Sequence, residues 1–151
     1  MSGEIEKADS FLRGRRIAIT GAARGLGRAT AIVAADHGAE TVLLGRDPGA
    51  LAIVADTIRE RCGRQSLVVP CDLAKPGSVK AACEAVLDKE SRVDVLINNG
   101  APWLEGRLDD ISDVEIATTV SAAVSGTILV TKGLLPGLRR SNCPDIITIV
   151  S

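Results

Sequence analysis

The sequence predicts a doubly wound α/β fold, a parallel sheet of about five strands with helices on both faces. Three observations predict it. Short β-branched or aliphatic runs alternate with helical stretches of roughly 12 residues, the signature of βαβ units. The first run leads into a cluster of glycines that opens the first helix. No linker, tandem repeat or low-complexity segment interrupts the 151 residues, so one domain is expected.

The elements follow in order. Residues 17–20 (IAIT) form a short buried strand, and Gly25 to Asp36 has a helical composition closed by His37-Gly38. Residues 41–44 (TVLL) are a second strand. Pro48 stands near the first turn of a second helix, expected over 50–61. Residues 66–69 make a third strand ended by Pro70, and 77–89 a third helix. Residues 93–97 (VDVLI) make a fourth strand, 113–135 a long and mostly apolar helix, and 146–150 (IITIV) a fifth strand. Right-handed crossovers then give the strand order 3-2-1-4-5, with a ligand crevice between the first and fourth strands. Residues 1–14 read as a flexible tail and 15–151 as the domain.

Composition narrows the function. Hydrophobic residues are 46% and charged residues 25% of the chain, and the net charge is -1. Such a chain carries no basic field for nucleic acid or an anionic membrane. No stretch reads as a signal peptide and no 18 or so consecutive residues are apolar, so a cytoplasmic protein that does not enter a membrane is expected. Cys62, Cys71, Cys83 and Cys143 have neither C-x-x-C spacing nor a nearby histidine, so reduced thiols and no metal site are expected. Phe11 and Trp103 are the only aromatics, and tyrosine is absent. A mechanism that needs a phenolic acid cannot run on these residues alone.

The chemistry-bearing motif is Thr20-Gly21-Ala22-Ala23-Arg24-Gly25-Leu26-Gly27, between the first strand and the first helix. Gly21 permits a tight turn, Gly25 lets backbone approach a pyrophosphate, and Gly27 lets the helix lie close to the sheet. The helix N-terminus offers free N–H groups and the positive end of its dipole. The bland alternative is an ordinary glycine-rich turn, but its strand–turn–helix context favours a dinucleotide site. The second strand then selects NADP(H) over NAD(H). An NAD site wants a carboxylate at that strand's end, whereas Gly45-Arg46 stands there and Glu40 lies at the other end. The planar guanidinium of Arg46 suits a 2′-phosphate, the alternative being a solvated arginine or one paired with Asp47.

The T-G-x-x-x-G-x-G spacing resembles the short-chain dehydrogenase/reductase family, a Rossmann-type group of NAD(P)-dependent oxidoreductases. Other motifs agree in order. Asp72-Leu73 looks like the family's adenine-binding acidic pair, and Asn98-Asn99-Gly100-Ala101 like its N-N-A-G motif with the last two residues exchanged. Gly126 and Leu135-Pro136 fit its long helix, and Ile147 to Ser151 its I-x-x-S-S strand end. The likeness spans Arg15 to Ser151.

The resemblance implies hydride transfer between a nicotinamide and the carbonyl or alcohol carbon of a small molecule. It implies Ser151 as the catalytic serine, Asp72 and Leu73 beside the adenine, and Asn99, Gly100 and Ala101 near a ribose. Arg24 stands where NADP(H)-preferring members often carry a basic residue. Two bland alternatives remain: Asp72 as a helix cap and Asn99 as a loop brace. The resemblance also implies a dimer or tetramer through the 113–135 helix. The family's Tyr-x-x-x-Lys has no counterpart in these residues, and Ala123 stands at its helix asparagine. A fold incomplete relative to the family, truncated at the serine and leaving the fifth strand as an apolar edge, is therefore expected. The competing readings are a non-catalytic NADP(H)-binding module and an oligomerising fragment. His37 reads as a surface residue of a helix end. Trp103 either lines a substrate mouth or pins the 101–107 loop. Glu105, Asp109 and Asp110 read as solvated charges.

Overall fold

The computed structural model describes residues 10–150. Five strands, β1 (Arg16–Thr20), β2 (Glu40–Gly45), β3 (Ser66–Pro70), β4 (Val95–Asn98) and β5 (Asp145–Thr148), form one sheet in the order β3-β2-β1-β4-β5, every pairing parallel. Helices α1 (Gly25–Asp36), α2 (Pro48–Cys62) and α3 (Pro76–Lys89) fill the first crossovers. A helical run from Asp113 to Leu138 crosses from β4 to β5. It comprises α4 (Asp113–Val120), a π-helical segment (Ser121–Gly126) and α5 (Thr127–Leu138).

Strand alternation builds a core on each face. Ile17, Ile19, Leu43, Val95 and Ile97 point to one side, where Ala31, Ala34 and Ala35 of α1 and Leu51, Val54 and Ile58 of α2 cover them. Ala18, Val42, Leu44, Val69 and Leu96 point to the other, under Val79, Ala82 and Val86 of α3 and Val130, Leu134 and Leu138 of α5. Buried on both faces, β1 and β2 read as near-continuous apolar runs, as central parallel strands do.

Local chemistry sets the ends. Asp47 caps α2 by accepting from the Ala50 N–H at 3.0 Å, and Pro48 occupies its first turn. Gly63, at φ +68°, ends α2 in the left-handed conformation that glycine adopts without penalty. Ser112 and Glu115 form a capping box on α4. At the opposite end of the sheet from the glycine turn, buried Asp94 accepts from the Arg16 N–H at 2.8 Å and from the Ser141 hydroxyl at 2.6 Å.

Several expectations need correcting. The helix expected over 113–135 runs to Leu138 and contains a π-helical segment. Pro136 does not stop it, because a proline so near the C-terminus disrupts only the last turn. By length and mean hydropathy, 1.5 over its best window, this run is long and apolar enough to cross a membrane, although no 18 consecutive residues of it are apolar. Part of that apolarity is core, since Val130, Leu134 and Leu138 are buried. The fourth strand starts at Val95 rather than Val93, whose N–H is drawn instead to the Gly137 carbonyl at 3.2 Å. The fifth runs from Asp145 to Thr148, shifted from 146–150, and pairs with β4 only as far as Asn98. It is the apolar edge expected, with Ile146 48% and Ile147 46% exposed. Of the tail expected over 1–14, residues 1–9 lie outside the described residues. Residues 11–14 form turns, with the Leu12 N–H donating to the His37 carbonyl at 3.1 Å and Phe11 beside the His37 ring.

Candidate functional site: a cleft at the strand ends

The C-terminal ends of β1, β2, β3 and β4 open onto one cleft of about 550 Å³. A crevice there is where an open α/β sheet takes its ligands, because crossovers leave in opposite directions on either side of β1 and β4. Gly21, Arg24, Gly25, Arg46, Asp72, Leu73, Asn99, Gly100 and Ala101 all line it. These are nine of the positions singled out above, drawn from four loops.

The glycines do different work. Gly21 has φ +68°, and a Cβ there would lie 2.7 Å from the Gly100 Cα. Gly25 has φ +53° and open space where a Cβ would be, so backbone is bared to the cleft. Gly27 is buried under the turn, where a Cβ would collide with the Gly21 carbonyl and the Asn99 amide. Gly27 and Leu26 do not line the cleft, and Leu26 is 57% exposed. The α1 N-terminus has no side-chain cap and no acidic residue in its first turn. Its leading N–H groups are left for a ligand, and an anion suits them best.

The turn is tied to the β4 loop. The Thr20 hydroxyl accepts from the N–H groups of Asn99 at 3.0 Å and Gly100 at 2.9 Å. Asn99 Nδ2 donates to the Thr20 carbonyl at 3.1 Å and the Gly21 carbonyl at 3.4 Å. The amide nitrogen of Asn99 thus braces the turn. Thr20 opens the glycine motif, but the sequence reading gives it no role of its own. Its signal was a polar residue closing an otherwise apolar strand. Asn98, also buried, donates to Thr131 at 3.1 Å and to Thr148 at 3.5 Å, joining β4 to α5 and β5.

The charges are arranged for an anion at the β2 end. Arg24 and Arg46 are exposed on the rim, and neither forms an ion pair among the described residues. Asp47 also lines the cleft, with its Oδ1 engaged in the cap on α2. Asp72 is not the cap of α3, whose N-cap position is Lys75. Its Oδ1 accepts from the Ala74 N–H at 3.1 Å, and Oδ2 lies 3.4 Å from Lys75 Nζ. Cys71, in the cleft wall, is pushed up to about 12 by burial, aided by the neighbouring Cys83 and Asp72, so it remains a thiol. Ala122 and Thr118 of the long helical run close the far side. Gly126 of the π-helical segment lies against the Leu73 carbonyl and side chain, with no room for a Cβ. Ser151 lies outside the described residues. No group of three or more potential metal ligands occurs among them.

A family model described as short chain dehydrogenase matches residues 15–151. The chain belongs to the short-chain dehydrogenase family. Dehydrogenase/reductase SDR family member 7B of Mus musculus is 36% identical over 152 residues, covering 96% of this chain and 46% of the relative. Oxidoreductase UcpA of Escherichia coli K12 is 36% identical over 127 residues, covering 83% and 47%. Among solved structures, a short chain dehydrogenase from Pseudomonas syringae superposes with a TM-score of 0.84 at 32% identity, covering 95% of this chain and 60% of that one. Another, from Shigella flexneri and complexed with NADP, gives 0.85 at 28% identity, covering 93% and 60%. The chain thus spans about half the length of the curated relatives it matches. Within the short-chain dehydrogenase fold, the described residues comprise the glycine turn, the acidic loop after β3 and the N-N loop after β4.

Proposed function

We propose that the cleft binds NADP(H) in preference to NAD(H), and that the chain contributes the cofactor-binding part of an oxidoreductase acting on a small carbonyl compound or alcohol. The observation that carries the preference is the pair Arg24 and Arg46 on the rim, neither in an ion pair among the described residues, with Gly45 rather than a carboxylate at the end of β2. A similar protein with NADP bound supports the same reading.

Gly21, Gly25 and the free N–H groups at the start of α1 would hold the pyrophosphate. Arg24 and Arg46 hold the 2′-phosphate through their planar guanidinium forks. Asp72 accepts from the adenine amino group with Leu73 packed beside the base, and Asn99, Gly100 and Ala101 follow the ribose. When bound, the nicotinamide supplies or receives the hydride. Ser151 orients the substrate oxygen. No tyrosine among the 151 residues can serve as proton donor, and Ala123 offers no amide to hold a relay water. These residues alone are therefore proposed to bind cofactor without turning substrate over, which keeps a non-catalytic binding module as the second reading. Exposed Val114, Val120, Val124 and Ile128 on the long helical run are proposed to seat a second subunit in a dimer or tetramer.

Fluorescence titration with NADPH and NADH, followed by a reductase assay on a panel of ketones and aldehydes, tests this. Submillimolar NADPH binding without turnover is expected. Turnover by these residues alone would overturn the proton-donor argument, and absence of binding would overturn the cofactor assignment.

A further inference from the structure

Asp72 donates its backbone N–H to Ser78 Oγ at 2.9 Å, a contact that the cofactor reading leaves without a role. We infer that Ser78 is a positioning residue that sets the Asp72 carboxylate for recognition of the dinucleotide's base. This rests on the reading that the cleft takes NADP(H) with its adenine beside Asp72.

A carboxylate selects an adenine amino group only if one oxygen is both free to accept and correctly placed. Asp72 Oδ1 is engaged with the Ala74 N–H inside its own loop. Oδ2 faces only Lys75 Nζ at 3.4 Å, and Lys75 is 75% exposed, so water competes for that pair. Oδ2 is therefore the oxygen with capacity to accept from a base. Where it sits depends on the backbone from Cys71 to Lys75.

That backbone has few anchors. The Cys71 N–H donates to the Gly45 carbonyl at 2.8 Å, the Lys75 N–H to the Asp72 carbonyl at 3.0 Å, and Gly126 backs the Leu73 carbonyl. The first ties the loop's start to β2, and the second joins Asp72 to Lys75, the N-cap of α3. Ser78 is the one side chain outside the loop that bonds Asp72, among the described residues. Ser78 is the third residue of α3, and the next residues on the helix's inner face, Val79, Ala82, Cys83 and Val86, are buried in the core. Ser78 thus refers the Asp72 N–H to α3, while buried Cys71 and core-packed Leu73 hold the residues on either side. Removing the Ser78 hydroxyl leaves the Asp72 N–H without its acceptor and lets the residue turn.

The test titrates the wild-type chain, Ser78→Ala, Ser78→Thr and Asp72→Asn with NADPH and with deamino-NADPH, in which the base's amino group is replaced by an oxygen. The wild type is expected to prefer NADPH. Ser78→Ala is expected to cut that preference roughly fivefold to tenfold, the scale of one hydrogen bond, through weaker NADPH binding with little change for the analogue. Ser78→Thr should keep the preference, and Asp72→Asn should abolish it. Equal losses for both dinucleotides in Ser78→Ala, or no loss, would overturn the inference while a collapse in Asp72→Asn left the adenine reading standing. An unchanged preference in Asp72→Asn, or no binding of either dinucleotide to the wild type, would overturn the adenine reading and this inference together.

Discussion

Thr20 and Asn99 are joined twice: the Asn99 N–H donates to the Thr20 hydroxyl at 3.0 Å, and the Asn99 side-chain amide donates to the Thr20 carbonyl at 3.1 Å. These bonds lock the glycine turn after β1 to the loop after β4, closing the floor of the cleft. Thr20→Val keeps the shape but removes an acceptor from two N–H groups. It should destabilise the chain by about 1–3 kcal/mol and weaken NADPH binding, whereas Thr20→Ser should do neither. The shift in urea midpoint at unchanged slope measures the first effect.

Gly25 and Gly27 separate two requirements that one motif conceals. Gly27→Ala places a methyl group against the Gly21 carbonyl and the Asn99 amide, so stability should fall by about 1–3 kcal/mol. Gly25→Ala meets open space and costs only about 1–2 kcal/mol for a left-handed alanine, yet it puts a methyl group where the pyrophosphate is proposed to approach. NADPH binding should therefore fall in Gly25→Ala out of proportion to its stability. Paired thermal unfolding and NADPH titration check the contrast.

Asp94 makes stability depend on acid. Burial by itself would raise its carboxyl, but the Ser141 hydroxyl, the Arg16 N–H and the charges of Arg92 and Arg15 hold it below the ordinary aspartate value. The unfolded chain then binds the proton more readily than the folded one. The stabilisation is present above the unfolded value, near 3.8, and is lost as pH falls through the lower folded value. Asp94→Asn should lower stability at pH 7 and flatten the acid limb of a denaturant-midpoint against pH curve.

The cysteines should sort by burial. Burial pushes Cys71 up to about 12 and Cys83, with help from nearby Glu84, up to about 11, so both remain thiols at pH 8. Cys143 is exposed. Iodoacetamide at pH 8 should label Cys143 well before Cys71 or Cys83, as read by peptide mass spectrometry.

Legibility in the sequence followed the range of the interactions. Helix α1 was readable from Gly25 to Asp36, because Gly25 opens it and His37-Gly38 closes it locally. The strand order was readable because crossover handedness leaves few alternatives. The end of β5 was not. Ile149 and Val150 are as apolar as Ile146, and what ends the ladder is its partner β4 stopping at Asn98, some fifty residues earlier in the chain. The π-helical segment was equally hidden, since Ala122 to Gly126 reads as ordinary helix until Leu73 is known to lie against Gly126. In the cleft, residue type at the end of β2 named Arg46, and the resemblance to the family named Arg24 and Asp72. The bracing by Thr20 and the contact of Ser78 with Asp72 needed the fold, because only the folded chain sets the loop after β4 against Thr20 and Ser78 of α3 against Asp72.

The most direct test of the central claim compares NADPH and NADH binding to the wild-type chain and to Arg46→Ala. The account predicts tighter NADPH binding by the wild type, and a loss on substitution of roughly tenfold or more for NADPH with little change for NADH, because only the former carries a 2′-phosphate for the guanidinium to pair with. Equal affinity of the wild type for both dinucleotides, or an equal loss for both in Arg46→Ala, would contradict it.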